Sequence, residues 1–504
     1  MDSKKLGFFL GLGMFVALLL IPAPAGMAVA AWRMVAITVL MATWWIMEPI
    51  PIAATSLLPI ALFPLLQIVN VEGNPVNPTA SYSDPVIYLF MGGFFLAIAM
   101  ERWNLHTRIA LTILKYAGDT PSRLIFGFVV ATTFLSIWIS NTATAVMMVP
   151  IGISVLSQVM SKKDAAELDA KKKKQEGNFA KSLMLTIAYS SSIGGFIAIT
   201  GTPPNIILAG FLRNTYDVDV SFLQWMLIST PISLTLMVCM YFLLTRVIFP
   251  TGDLQLSGGK DVVINELKKL GPMTNPEKMT LLVGVLMASG WILREFIIQI
   301  PIFSMVTDTT IAISGGLLLF ILPALKDNQK ILNWEHAVKI PWGIVLLFGG
   351  GLTLASGFGG TGLAAWFSGN MAYLGGMNVL LFIFITILVI NVLTEFMSNT
   401  AAAALFVPVM AVTAISIGVH PVPAAVATAI AASFAFIMPV SSPPNAIVFG
   451  SGYIGITDMM RAGVFINIAA QVLATLAIVY LLPLVWGIEI TYVPQEILDM
   501  VQPG

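Results

Sequence analysis

Residues 124–160, 182–212 and 424–454 contain no Asp, Glu, Lys, Arg or His, and residues 379–418 contain only Glu395. About 20 helical residues cross the ~30 Å hydrocarbon core of a bilayer, so runs like these belong in lipid rather than around a water-soluble core. Apolar segments are expected near residues 6–22, 32–47, 52–66, 86–100, 124–160, 182–212, 225–249, 279–299, 309–325, 341–357, 379–418, 424–454 and 462–487. Only 10% of the 504 residues are charged, against about 25% in soluble domains, and the fold class expected is an all-α polytopic membrane protein. Lys+Arg equals Asp+Glu at 25 each, so no basic field argues for nucleic acid as a partner. Cys239 is the one cysteine and cannot form an intrachain disulfide. Residues 6–22 follow Lys4 and Lys5 without a clear small-residue cleavage pattern and read as a retained first span.

The segments 124–160 and 379–418 are each interrupted centrally by a polar tripeptide, so each can enter the membrane and return as a hairpin. If the other eleven segments cross once, every Lys and Arg except Arg33, Arg213 and Arg294 falls on one side. The positive-inside rule makes that side cytoplasmic. The amino terminus is then expected inside and the carboxyl-terminal tail outside, in a multi-pass protein of the inner, or plasma, membrane. Two full spans per hairpin would give the same parity and remain an alternative.

The polar breaks are duplicated. Ser140-Asn141-Thr142 precedes Pro150, and Ser398-Asn399-Thr400 precedes Pro408, each Pro ten residues after its Ser. Downstream lie Gly201-Thr202-Pro203-Pro204-Asn205 and Ser441-Ser442-Pro443-Pro444-Asn445. The offset between copies is 258 for the first motif and 240 for the second, and the difference of 18 matches an extra Lys-rich stretch near residues 161–178. Residues 161–181 carry seven lysines, whereas the counterpart at residues 418–423 has His420 and no Lys or Arg. The two copies are therefore expected to face opposite sides of the membrane, an inverted repeat of the kind secondary transporters use around a midplane site.

Helix breaks at membrane depth are tolerated only where they are buried in protein or line a cavity. Pro203, Pro204, Pro443 and Pro444 remove amide donors and free carbonyls upstream, and freed carbonyls suit Na⁺. Helices restarting after each Ser-Asn-Thr present unpaired amides and a positive dipole end to an anion. Two such ends can hold the two ends of a small dicarboxylate. No arginine clamp is available, so a dianion's charge has to be met by helix ends, hydroxyls, amides and co-bound cations.

These paired motifs resemble the divalent anion/sodium symporter family, which includes bacterial dicarboxylate transporters and the animal citrate and succinate carriers; the likeness spans essentially the whole chain. It implies eleven transmembrane helices plus two re-entrant hairpins, a homodimer, and an elevator mechanism in which a transport domain slides against a scaffold. The implied division is scaffold at 1–118 and 279–377, transport domain at 119–250 and 378–487, a linker with an interfacial helix at 251–278, and an extracytoplasmic tail at 488–504. By the motif, Asn141, Thr142, Ser398, Asn399 and Thr400, with Pro203 and Pro443 nearby, would bind carboxylates. One Na⁺ site would use Ser136, Ser140, Asn141 and the Gly201 carbonyl region. The other would use Thr394, Met397, Asn399 and Ser441, with Met397 and Ser441 giving backbone oxygens. Ser442-Pro443 departs from the Thr-Pro common in the family. Sodium-independent exchangers also occur there, and the hydroxyls of Ser136 and Thr394 favour the symporter branch.

The expected function is thus Na⁺-coupled symport of a C4-type dicarboxylate such as succinate, with the exchanger and an anion channel as alternatives. An enzyme ranks last, because His106, His336 and His420 form no metal-spaced pair or Ser/His arrangement. Glu395 is a candidate cation ligand or proton carrier, but a structural role is preferred because the first repeat has no acid there. Glu48 reads as interfacial. The glycines from Gly349 to Gly362 read as close helix packing rather than a phosphate loop. Residues 261–270 and 326–340 resemble interfacial helices.

Overall fold

The computed structural model describes residues 3–501 except 69, 72–73, 119, 161–169, 253–258, 325–328 and 372–375. The chain opens with α1 (Ser3–Leu20), α2 (Val29–Met47), α3 (Ile52–Thr55) and α4 (Leu58–Leu65), then, after a two-residue antiparallel pair (Asn70–Val71 with Asn74–Pro75), α5 (Pro85–Arg102) and α6 (Leu105–Lys115). Next come α7 (Pro121–Trp138), α8 (Asn141–Met160), α9 (Ala170–Ile197), α10 (Pro203–Tyr216), and α11 (Phe222–Phe242), which runs on as a π-helical turn, Leu243–Ile248. After α12 (Gly259–Lys269) come α13 (Asn275–Ile297), α14 (Asp308–Ile321), α15 (Trp334–Ala337), α16 (Trp342–Gly360) and α17 (Leu363–Met371). The second set is α18 (Val379–Thr394), α19 (Asn399–Ser416), α20 (Pro421–Ser433), α21 (Pro443–Gly450) and α22 (Ile456–Leu476), followed by α23 (Leu482–Trp486) and α24 (Gln495–Val501).

The all-helical class follows from the pattern, and among the described residues eight helices are long and apolar enough to cross a membrane. That length test includes α7 and α19, one arm of each expected hairpin. Several segments differ from expectation. Residues 52–66 form two short helices meeting at Ser56-Leu57, where Pro59 follows at the start of α4. Residues 326–328 of an expected interfacial helix lie outside the described residues, and of the rest only Trp334–Ala337 is helical, started by the Asn333 side chain accepting from the His336 amide. The expected helix at 261–270 is present as α12. Helices α8 and α19 continue through Pro150 and Pro408 rather than ending there, since each proline removes only one amide donor from a ladder otherwise supported by neighbouring helices. Lys162 and Lys163 lie outside the described residues, while Lys171–Lys174 belong to the first turns of α9.

Packing is exchanged between the repeats. Helix α10 of the first set packs on α19 and α20 of the second, and α21 of the second packs on α8 and α9 of the first. This reciprocity brings the interrupted helices of the two sets together. Elsewhere, glycines permit close contact: a Cβ on Gly92 of α5 would meet the Ala312 carbonyl oxygen of α14 at 2.4 Å, and one on Gly350 of α16 would meet the Ser56 carbonyl oxygen at 2.4 Å. Gly349, Gly350 and Gly357 of α16 therefore serve packing, whereas Gly359 has nothing within 4 Å of a Cβ.

Candidate functional site

The sequence of each break dictates its local geometry. Helix α7 ends as Ile139 turns extended (φ −121°, ψ 154°), and Ser140 restarts the chain by accepting at Oγ from the Ala143 amide at 3.2 Å, an N-cap. Helix α18 ends at Thr394, and Ser398 precedes α19 with its carbonyl accepting from Ala402 N at 2.9 Å. The downstream breaks begin where α9 stops at Ile197 and α20 stops at Ser433, and both end at paired prolines opening α10 and α21.

All four breaks line one cavity of about 520 Å³, within the roughly 300–1,000 Å³ range of small-molecule sites. Its walls include Ser140, Asn141, Thr142, Gly201, Pro203, Met397, Ser398, Asn399, Thr400, Ser441 and Pro443. The candidate residues outside the wall are Ser136 and Thr394, both buried just behind it. Glu48, held in left-handed backbone geometry (φ 46°) at the end of α2, is the one ionisable side chain in the lining. Glu48, expected from the sequence at a membrane boundary, is thus a lining residue of the cavity.

The two hydroxyls behind the wall make the same arrangement twice. Ser136 Oγ lies 2.9 Å from Asn141 Oδ1 and 2.6 Å from the Ser191 carbonyl oxygen. Thr394 Oγ1 lies 2.9 Å from Asn399 Oδ1 and 3.3 Å from the Ala432 carbonyl oxygen. Each hydroxyl has one proton to share between two acceptors, so each cluster is rich in oxygen and short of hydrogen, the composition a hard cation seeks. Among the described residues no group of three or more His, Cys, Asp or Glu side chains is assembled, so an ion here would be met by hydroxyl, amide and carbonyl oxygens. With Oδ1 turned toward the hydroxyl, each asparagine keeps its Nδ2 donor end for an anion.

Three contributors were not assigned from the sequence. Asn205 and Asn445, the last residues of the Pro-Pro-Asn motifs, are fully buried. Asn205 Nδ2 donates to the Ala198 and Phe196 carbonyls at 2.9 and 3.3 Å, and Asn445 Nδ2 donates to the Ala435 and Met438 carbonyls at 3.0 and 3.1 Å. These amides lace the unwound segments, and their duplication was the signal that would have found them. Gly195 of α9 is the third: a Cβ there would sit 1.8 Å from Asn141 Oδ1. No repeat marks it, because Ala435 stands at the matching place in the second copy.

Residues 3–487 match the family described as the sodium:sulfate symporter transmembrane region. The chain is 40% identical over 494 residues to a sodium-dependent dicarboxylate transporter of Staphylococcus saprophyticus, covering 97% of this chain and 93% of the relative. It is also 40% identical over 491 residues to the transporter of that name in Staphylococcus aureus strain USA300, with the same coverage. Among solved structures, MtrF of Neisseria gonorrhoeae, titled as one of a class of antimetabolite efflux pumps, superposes with a TM-score of 0.57 at 13% identity, covering 94% of this chain and 95% of the other. The YdaH transporter of Alcanivorax borkumensis gives 0.56 at 12% identity, covering 90% and 98%. At these identities the likeness is one of fold alone.

Proposed function

The chain belongs to the sodium:sulfate symporter family, the divalent anion/sodium symporters, and on that premise we propose that it couples inward Na⁺ flow to uptake of a C4 dicarboxylate such as succinate. It is a multi-span membrane transporter and not an enzyme, as the family is. The observation that carries the reading is the pair of hydroxyl-asparagine-carbonyl clusters, one from each repeat, behind a single cavity whose lining holds no Lys, Arg or His.

A dianion without a cationic partner in a low-dielectric site costs several kcal/mol per charge. Here the available compensation is the first turns of α8 and α19, the hydroxyl and amide donors of Asn141, Thr142, Ser398, Asn399 and Thr400, and Na⁺ itself. Na⁺ at the first cluster would take oxygens from Ser136, Ser140, Asn141 and Gly201; at the second, from Thr394, Met397, Asn399 and Ser441. Each asparagine then bridges cation and carboxylate, its Oδ1 toward one and its Nδ2 toward the other. Ion and substrate thereby raise each other's affinity, which is coupling in thermodynamic form.

The reading includes the eleven-span topology with two re-entrant hairpins, amino terminus inside and tail outside, in the plasma membrane. A homodimer whose transport domain (119–250 with 378–487) slides as an elevator completes it; the reciprocal packing of α10 and α21 favours a transport unit that moves as one body. The relatives named as sodium-dependent dicarboxylate transporters favour symport.

In proteoliposomes, labelled succinate is expected to accumulate only under an inward Na⁺ gradient, and Asn141→Ala or Asn399→Ala is expected to abolish uptake without unfolding the protein. Uptake that ignores Na⁺ but needs internal dicarboxylate would establish the exchanger, and non-saturable flux would establish a channel.

A further inference from the structure

Glu395 is 2% exposed and follows directly on α18, yet the cation and substrate chemistry above leaves it unused. Both its carboxylate oxygens are occupied. Oε1 accepts from the amides of Phe436 and Ile437 at 2.9 and 3.1 Å, and Oε2 from those of Ile437 and Met438 at 3.1 and 3.0 Å. Asn467 Nδ2 of α22 donates to Oε1 at 2.8 Å. Three consecutive backbone amides thus end on one side chain rather than on carbonyls one helical turn back.

The first repeat has Ile137 at the matching place, and its helix differs accordingly. With the offset of 240, Ile197, the last residue of α9, corresponds to Ile437, whereas α20 stops at Ser433, one turn earlier. In the first repeat the final turn stays helical, and α11 ties off its carbonyls: Trp225 Nε1 donates to Phe196 O at 3.0 Å and Ser229 Oγ to Ile197 O at 2.7 Å. In the second, the carbonyls of the opened turn are met separately, by the Asn391 Nδ2 amide at Phe434 and by Tyr189 Oη at Phe436, 2.8 Å. Gly463 of α22 clears the way, since a Cβ there would lie 2.2 Å from the Phe436 carbonyl oxygen. Every group of an unwound segment at membrane depth needs such a partner, and Glu395 supplies the donors' side of that account.

We propose that Glu395 is a positioning residue which holds the last turn of α20 open and so builds the second cation site in advance of Na⁺. The opened strand leads into Ser441, and the same anchor fixes Thr394, its neighbour in the chain, against the Ala432 carbonyl. The proposal rests on the Na⁺-coupled reading. An isosteric amide cannot substitute, because its NH₂ end would face backbone N–H donors where the carboxylate accepts.

The test compares wild type with Glu395→Gln by amide hydrogen exchange and by the Na⁺ dependence of succinate uptake. In the variant, the amides of Phe436, Ile437 and Met438 should exchange about tenfold faster or more, while Phe196 and Ile197 stay as protected as before. The half-saturating Na⁺ concentration should rise about tenfold, with the maximal rate changing less than about twofold. Asn467→Leu, which removes one donor and leaves the backbone contacts, should shift both readouts the same way by less, and it serves if Glu395→Gln does not fold. Unchanged exchange in the variants overturns the positioning role. Faster exchange with unchanged Na⁺ dependence overturns its link to the cation site. Wild-type uptake that ignores Na⁺ overturns the proposed function and with it that link, while the exchange comparison still decides what Glu395 holds.

Discussion

Replacing Gly195 with alanine tests whether the Asn141 side chain must stand where the structure puts it. The added Cβ would lie 1.8 Å from Asn141 Oδ1 and 2.8 Å from its Cγ, far inside an ordinary contact of about 3.5 Å. Helix α9 is seated closely on the same hairpin, since a Cβ on neighbouring Gly194 would be 2.6 Å from the Thr133 carbonyl oxygen of α7, and moving it away would break the bond from Ser136 to the Ser191 carbonyl. The asparagine has to rotate instead. That costs about 0.5–1.5 kcal/mol in rotamer strain and about 1 kcal/mol for the bond from Ser136, partly offset by about 1 kcal/mol for exchanging Gly for Ala inside a helix. The fold should lose only about 1 kcal/mol. The site loses more: one ligand to a cation and one donor to a carboxylate, each worth about 1.5–3 kcal/mol, or about 10- to 100-fold in affinity for each. Succinate uptake into proteoliposomes, titrated against Na⁺ and succinate, should show both half-saturation points displaced with little change in thermal unfolding. Gly177→Ala is the control, on the same helix with nothing within 4 Å of its Cβ, and it should transport normally. Wild-type Na⁺ and succinate dependence in Gly195→Ala would refute the assignment of Asn141.

Two further outcomes follow from the same geometry. Ser136→Ala and Thr394→Val each delete the hydroxyl of one cluster, and each should weaken Na⁺ activation of uptake about tenfold, the double variant by more than either alone; equal Na⁺ titrations in all three would separate the hydroxyls from the ion. His420 opens α20 with Nδ1 accepting from the Val422 amide at 3.3 Å, and burial pushes its ring pKa from 6.5 down to about 4. The unfolded chain therefore takes up the proton first as pH falls below about 6.5, so stability drops, by about 2 kcal/mol near pH 5, and levels off below about pH 4. Thermal unfolding measured from pH 7 to 4 should show that loss, and His420→Asn, which keeps a cap acceptor that does not titrate, should remove it.

Where the chain spells out a property twice, it was legible before any coordinates. Ser-Asn-Thr and Pro-Pro-Asn recur at matching offsets, and the structure brings both copies to one cavity. The charge-free runs set the helical membrane class because lipid offers no partner to an open backbone. Properties held by one copy alone escaped. Ile52–Leu65 is apolar but for Thr55 and Ser56, and that single polar pair, with Pro59 close behind it, is where the helix breaks, a signal too short to separate from an ordinary span. Gly195 reads as one more glycine until Asn141 is seen against it.

Composition and repetition determined the solvent, the secondary structure and the residue types of the site, since these depend on local chemistry and spacing. Tertiary structure alone decided that Asn141 and Asn399, 258 positions apart in the chain, share one cavity. It also decided that Glu395 spends its carboxylate on three amides some forty residues downstream. Such partnerships are made by packing between segments distant in sequence, and no local pattern records which side chain a buried backbone group will find.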